Sequence, residues 1–335
     1  MTLQNRIFFV LGIPIVFIFL IKLLSFSNVM VVPETRGTKE PEHSYRVYAL
    51  PLPENLNFAG EAVPLHNFEV RERFDRELLV NSYWQSQTIL FFKRAYRWFP
   101  LIEKTLREEN IPDDFKYLAL IESGLMDVVS PAGATGFWQI LQSTGRELGL
   151  EINNEVDERY HVEKATRAAS KFLRSAYESY NSWTLAAASY NMGRSGLNRQ
   201  LSEQLLTNYY DLWLNEETSR YVFRILAIKT IFENPGLHGF NFTEEDLYLP
   251  FDYYTVKVDT TVTDLVAFAS QHQVTYKELR TLNPWLRNRQ LSNSSRKVYE
   301  IKIPKESLFG YEYPVPARMQ SPVEEIISPG NESDL

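Results

Sequence analysis

One carboxylate in this chain stands where an acid would need to stand. Glu122 ends an apolar helical run, Tyr117-Leu118-Ala119-Leu120-Ile121, and the chain then turns through Ser123-Gly124. An ionisable group just past a hydrophobic helix face loses part of its water, which disfavours its charged form. A carboxylic acid that keeps its proton near neutral pH is what a general acid requires. From spacing alone, a helix-end glutamate that is solvated or paired with arginine is the commoner case. Asp127, five residues on, invites the two-carboxylate chemistry of ordinary glycosidases. Its place in the following loop favours solvation or loop capping instead.

The elements that must hold Glu122 are helical. Ile111-Pro112-Asp113-Asp114 marks a helix entry, with Asp113 as the candidate N-cap and acidic groups at the positive end of the dipole. A helical block is expected from Asn81, its candidate N-cap, carrying Trp84, Ile89, Leu90, Phe91, Tyr96 and Trp98, and Pro100 is expected to start or kink the segment Leu101 to Glu109. Helical patterning returns at Val162 to Tyr180, at Trp183 to Tyr190, and at Thr218 to Phe232, where Tyr221, Ile225 and Ile228 share a face. Beyond Pro235 the pattern changes. Two β-like runs, Tyr253 to Val258 and Lys297 to Ile303, flank short helical patterns at Val262 to His272 and Tyr276 to Leu282. The expected fold class is therefore mainly α, followed by a small β-α-α-β module whose two strands pair.

Composition bounds the chemistry. With 335 residues there is room for one large domain and one small one. A net charge of −7 and the lack of a Lys/Arg stripe offer no field for nucleic acid. The chain has no cysteine, which excludes disulfides, thiolate catalysis, Cys-type zinc sites and a thioether lipid anchor. His161, His238 and His272 lack metal-ligand spacing, so they are expected to be surface or packing residues and no metal is expected. At the N-terminus, Arg6 precedes an 18-residue run, Ile7 to Leu24, broken only by Lys22, which marks export across a membrane. Ser25-Phe26-Ser27 suits cleavage, whereas the length of the run approaches that of a membrane span, so both a removed signal and a retained anchor stay open. Either leaves the remaining chain outside the cytoplasm.

Four clusters then occur in order: Glu122-Ser123-Gly124, Gly136-Phe137-Trp138-Gln139, Ala188-Ser189-Tyr190-Asn191-Met192-Gly193, and Glu217-Thr218-Ser219-Arg220-Tyr221-Val222. With the flanking phrases Ser143-Thr144-Gly145-Arg146-Glu147 and Asp157-Glu158-Arg159, they resemble the catalytic domain of the soluble-lytic-transglycosylase family, membrane-bound D-type branch, over about Ile102 to Phe232. The resemblance implies a lysozyme-like domain acting on peptidoglycan glycan strands. It implies cleavage of the β-1,4 bond between N-acetylmuramic acid and N-acetylglucosamine, with formation of 1,6-anhydromuramyl ends. Glu122 would be the sole catalytic group, first acid and then base, and this mechanism would require no cofactor. Ser130 would face the muramyl sugar, Gln139 would offer its amide to sugar hydroxyl or acetamido groups, and Tyr190 would hydrogen-bond near the acid. Asn191 would shape the helix-ending turn, Glu217 would order the site and Tyr221 would line the groove. Phe137 and Trp138 are expected to pack the turn, and Arg220 to make a structural ion pair. The stretch Leu125-Met126-Asp127-Val128-Val129 is shorter than the matching loop of many relatives, so the place of Ser130 depends on the path of this loop.

The second module resembles LysM, a fold that binds N-acetylglucosamine-containing glycans. The likeness lies in Tyr254-Thr255-Val256, Val274-Thr275-Tyr276-Lys277-Glu278-Leu279 and Leu282-Asn283-Pro284. The usual Gly-Asp-Thr-Leu and Pro-Gly-Gln phrases are replaced, which leaves retained glycan binding open beside a role in packing on the catalytic domain. The expected organisation is a signal or anchor at 1–27, a tether or arm at 28–80, a catalytic domain at 81–240, a LysM-like domain at 250–304 and a tail at 305–335. A muramidase that uses water as acceptor, and a silent wall-binding protein, are the competing readings.

Overall fold

The computed structural model describes residues 47–310. The expected signal or anchor, the first part of the arm and the tail from residue 311 lie outside the described residues. Among the described residues, no helix is long and apolar enough to cross a membrane.

A short antiparallel hairpin, β1 (Asn57–Phe58) and β2 (Glu61–Ala62), leads into α1 (Phe68–Tyr83) and α2 (Gln85–Glu108). There follow α3 (Phe115–Ser123), α4 (Gln142–Glu147), α5 (Val162–Tyr180), α6 (Trp183–Met192), α7 (Arg194–Gln204) and α8 (Glu216–Glu233). The second module contains β3 (Tyr253–Val258), α9 (Leu265–Gln271), α10 (Tyr276–Leu282) and β4 (Tyr299–Pro304). Its strands pair antiparallel, from Tyr253 opposite Pro304 to Val258 opposite Tyr299.

The helical block starts earlier than its sequence pattern suggests. Helix α1 begins at Phe68, where the Asn67 side chain accepts the Glu69 N–H at 2.9 Å, and not near Asn81. Its run of Glu and Arg masks the periodicity, yet Val70, Phe74 and Leu78 recur at four-residue spacing and are buried against the core. Residues 57–80 are therefore not an arm over the surface. Phe58 is fully buried, and Asp114 accepts the Ala59 N–H at 2.7 Å and the Lys229 ammonium at 2.6 Å, which pins the hairpin to α3 and α8. Glu61 accepts the Thr184 N–H at 2.9 Å and the Ser182 hydroxyl at 3.0 Å, placing a carboxylate at the positive end of α6.

Three local expectations change in the same region. Asn81 caps nothing; its amide donates to the Glu77 carbonyl at 2.8 Å and its carbonyl accepts the Thr88 hydroxyl at 2.5 Å, bridging the break at Trp84. Helix α2 continues through Pro100, so this residue does not start a new helix; it lies on the exposed side, where the unpaired carbonyl one turn earlier can be hydrated. Asp113 is likewise outside the helix. Asp114 holds the N-cap position but spends its carboxylate on Ala59 and Lys229 rather than on a cap.

The LysM-like module is built into the catalytic domain. Asp157 donates its N–H to the Trp285 carbonyl at 2.9 Å and Arg287 donates to the Glu155 carbonyl at 2.7 Å, on either side of a bridge between Val156 and Leu286. Val156 and Tyr160 belong to the module's own apolar core. Tyr299 donates its hydroxyl to Glu151 at 2.9 Å, and Lys302 meets Glu163 at 2.5 Å. Of the two roles open for this module, packing on the catalytic domain is observed. The first residues of the tail are held as well, since Glu278 accepts the Ser307 hydroxyl and the Leu308 N–H, both at 2.8 Å.

Candidate active site

Helix α3 is almost wholly apolar and buried, with Phe115, Leu118 and Leu120 fully enclosed. It stops because Gly124 takes the left-handed conformation (φ 63°) and returns its N–H to the Leu120 carbonyl at 2.8 Å. Glu122 is thus carried in the last turn of a helix that is fixed on every other side. Ser123 ties this end to the following loop: its hydroxyl donates to the Phe137 carbonyl at 2.9 Å and accepts the Leu125 N–H at 3.1 Å.

The loop is folded on itself and clamped from behind. Thr135 bridges to both Val129 and Ile140. Gly136 sits at φ 76°, and a Cβ there would lie 2.2 Å from the Arg159 carbonyl oxygen, so only glycine fits. Arg159 is held by Asp157 at 2.9 and 2.7 Å and donates onward to the carbonyls of Gly133 at 3.0 Å and Ile140 at 3.2 Å. The Asp157-Glu158-Arg159 phrase is therefore a brace for this loop. Phe137 and Trp138 are buried, the Trp138 indole donating to Thr166 at 2.9 Å, as expected of residues that pack the turn.

Glu122 itself is half-buried, and its Oε1 accepts the hydroxyl of Tyr221. Burial raises its pKa above the ordinary carboxylate value. The Tyr221 hydrogen bond and the positive charge of Arg224 work against that rise, and the negative charge of Glu217 adds to it. Beside Glu122 a cavity of about 350 Å³ opens, lined in part by Trp84, Phe91, Val128, Arg220 and Arg224. Trp84 is 60% exposed, so this cavity has an aromatic rim open to solvent. Such an opening, with one protonatable group at its wall, suits a carbohydrate chain better than a small enclosed ligand.

The remaining residues implied by the sequence lie around this centre with partners of their own. Tyr190 does not bond the acid: its hydroxyl donates to the Trp138 carbonyl at 2.7 Å, and burial with the nearby Glu122 charge pushes its pKa well up. Tyr221 is 2% exposed, so instead of lining the groove it donates its hydroxyl to Glu122. Asn191 donates to Glu217 at 3.0 Å and accepts the Thr218 hydroxyl at 2.9 Å, coupling α6 to α8. Gln139, at φ 47°, donates its amide to the carbonyls of Gly136 at 2.8 Å and Val128 at 3.2 Å, which commits the nitrogen to the loop and leaves the amide oxygen available. Ser130 closes the loop, its hydroxyl accepting the Ala134 N–H at 3.0 Å while its hydrogen remains to donate. Arg220 makes the expected ion pair, to the buried Glu77 at 2.7 Å and to Glu216 at 3.3 Å.

Asp127 stands apart, at the edge of a separate cavity of about 270 Å³ between the two domains. Loss of water around it raises its carboxyl to about 6, with Arg287 opposing. It does not line the cavity at Glu122. Trp84 and Arg224 were the site residues not foreseen. The signal for Arg224 was present, because positions 217, 221 and 224 fall on one face of a helix.

Glu122 thus stands in a helical domain with a β-α-α-β module braced against it. The chain carries a match to the transglycosylase SLT domain over residues 99–211 and to the soluble lytic transglycosylase C-terminal LysM-like domain over residues 254–307. It is similar to the membrane-bound lytic murein transglycosylase D of Escherichia coli (strain K12), at 26% identity over 260 residues, covering 74% of this chain and 55% of that protein. The protein of the same name from Escherichia coli O6:H1 matches to the same extent. The chain spans about half the length of these curated relatives. The SLT match ends before α8, although α8 supplies Tyr221 to the acid.

Proposed function

We propose that this protein is a peptidoglycan lytic transglycosylase in which Glu122 acts alone, as acid and then as base. The observation that carries the reading is the half-buried Glu122 with a raised pKa, held by Tyr221 at the wall of an open cavity with an aromatic rim. In the first step the protonated carboxyl gives its proton to the glycosidic oxygen, and the C1–O bond breaks with its electron pair leaving on the N-acetylglucosamine oxygen. The muramyl acetamido group stabilises the positive charge at C1. In the second step the C6 hydroxyl oxygen bonds to C1 and its proton passes to Glu122, which restores the acid and consumes no water. Trp84 offers a face on which a sugar ring can stack. Gln139 and Ser130 offer the amide oxygen and the hydroxyl hydrogen that the loop leaves uncommitted. Asn191 and Glu217 hold α6 and α8 together and act on the site through that coupling.

We assign the catalytic domain to residues from about 57 to 240, the LysM-like domain to 250–304 and the tail to the residues beyond it. We place the protein in the cell envelope outside the cytoplasm, with residues 7–24 as export signal or tether. Mass spectrometry of the products released from purified peptidoglycan tests the activity, with Glu122→Gln alongside. The expected result is fragments ending in 1,6-anhydromuramic acid, lost by about a thousandfold or more in the variant, because an amide cannot donate the proton. Reducing ends in place of anhydro ends would overturn the transglycosylase in favour of a muramidase. Undiminished turnover by Glu122→Gln would overturn the single-acid assignment.

A further inference from the structure

We propose that Arg224 is a positioning residue for the reaction, an uncompensated cation that stabilises the Glu122 carboxylate at the moment it has given up its proton. The inference rests on the reading of Glu122 given above. Three observations carry it. Arg224 stands three residues, and Glu217 four residues, from Tyr221 along α8, so the helix presents all three on the face that meets Glu122. The Arg224 guanidinium donates to the carbonyl of Ile121, the residue next to Glu122, at 3.2 Å, and it lines the same cavity. Among the described residues, no carboxylate lies within ion-pairing distance of Arg224 (the salt bridges on this face belong to Arg220, with Glu77 and Glu216).

The other charged and titratable groups around Glu122 leave this task to Arg224. From α8, Tyr221 donates one neutral hydrogen bond and Glu217 contributes negative charge, part of which is engaged by Asn191. From α6, Tyr190 gives its hydroxyl to the Trp138 carbonyl. From α2, Arg94 is bound to the Gly124 carbonyl at 3.1 Å and, unlike Arg224, does not line the cavity beside Glu122. From α1, Glu77 is committed to Arg220 and Arg76. While Glu122 is protonated, it has no net charge for Arg224 to attract. Once the proton is on the glycosidic oxygen, the carboxylate carries its charge within reach of the guanidinium's field, in a site partly shielded from water. The interaction is therefore made as the bond breaks and not when substrate binds, which is the condition for it to lower the barrier.

The sign of the pH effect follows. Removing the positive charge makes the carboxylate harder to form, so Glu122 keeps its proton to higher pH and becomes a weaker acid. The test compares Arg224→Gln, which retains an amide donor for the Ile121 carbonyl but no charge, with Arg224→Lys, which retains the charge. The full chain is used, with kinetics on purified peptidoglycan. In parallel, the Glu122 carboxyl is titrated by NMR of 13C-labelled glutamate, assigned by its loss in Glu122→Gln. Arg224→Gln is expected to lower kcat about tenfold or more with KM within about twofold, and to move the alkaline limb of the rate profile to higher pH. Arg224→Lys is expected to recover most of that loss and to titrate close to the wild type. If Arg224→Gln is as active as Arg224→Lys, or if the Glu122 titration is unmoved in Arg224→Gln, the guanidinium is only a tie to Ile121 and the inference fails. The NMR titration needs no turnover. A wild-type protein that released no anhydro ends would thus defeat the proposed function, while the Arg224 result would still be decided.

Discussion

The Tyr221 hydroxyl is the one hydrogen bond made directly to Glu122 among the described residues, and its removal isolates what that bond does. Tyr221→Phe deletes a single oxygen from a ring that is 2% exposed and packed in the core, so the ring keeps its contacts. A hydrogen bond to a charged group is worth about 1.5–3 kcal/mol. The bond favours the ionised form of Glu122, since it lowers the pKa that burial raises. Its full strength is therefore expressed as the carboxylate develops, and a loss of 1.5–3 kcal/mol at that point corresponds to roughly a 10- to 150-fold fall in kcat with KM nearly unchanged. The alkaline limb of the profile is expected to move to higher pH, because Glu122 in the variant holds its proton more tightly. The assay is steady-state release of anhydromuramyl products over a pH series, with thermal unfolding as a control for the fold. A Tyr221→Phe enzyme with kcat within twofold of wild type and an unshifted alkaline limb would show that the bond does nothing for the developing carboxylate.

Other consequences are as direct. Gly136→Ala puts a methyl group 2.2 Å from the Arg159 carbonyl at a φ of 76°, and thermal or denaturant unfolding is expected to show a loss of at least about 2 kcal/mol; a loss under 0.5 kcal/mol would mean the loop is free to shift. The junction between the two domains should weaken in acid. Burial works to raise the pKa of Glu163, but the neighbouring His161 and Lys302 outweigh it and hold the carboxyl well below its ordinary value. Glu158 is also held low, burial being outweighed by the Glu151 N–H and by Lys164 and Lys297. A depressed carboxylate contributes stability that is present above its ordinary pKa of about 4.5 and is lost as pH falls through the folded value. The melting temperature is therefore expected to drop below about pH 4.5, and less steeply in Glu163→Gln; identical acid profiles for the two proteins would remove Glu163 from the account.

The sequence alone determined the helices whose apolar stripe is plain and the module whose strands alternate. Helix α5 spans Val162–Tyr180 and α10 spans Tyr276–Leu282, the ranges their patterns mark, and β3 occupies Tyr253–Val258. It also singled out Glu122, because an acid at the end of a wholly apolar helix must lose water wherever that helix packs. Helix α1 was hidden because charged residues fill seven of its sixteen positions, and three buried apolar side chains leave a weak period. Pro100 read as a break because local rules cannot tell an exposed turn, where a lost hydrogen bond is made good by water, from a buried one. Only the tertiary structure decided which tyrosine reaches the acid. Tyr190 and Tyr221 both lie on helices near Glu122, and the difference is where each hydroxyl finds a partner: the Trp138 carbonyl for one, the carboxylate for the other. The same holds for Arg220 and Arg224, one turn apart on α8. The first faces Glu77 of α1 and is neutralised there, while the second faces the end of α3. A sequence gives the order of such groups along one helix, but their chemistry depends on what the neighbouring helices place opposite them.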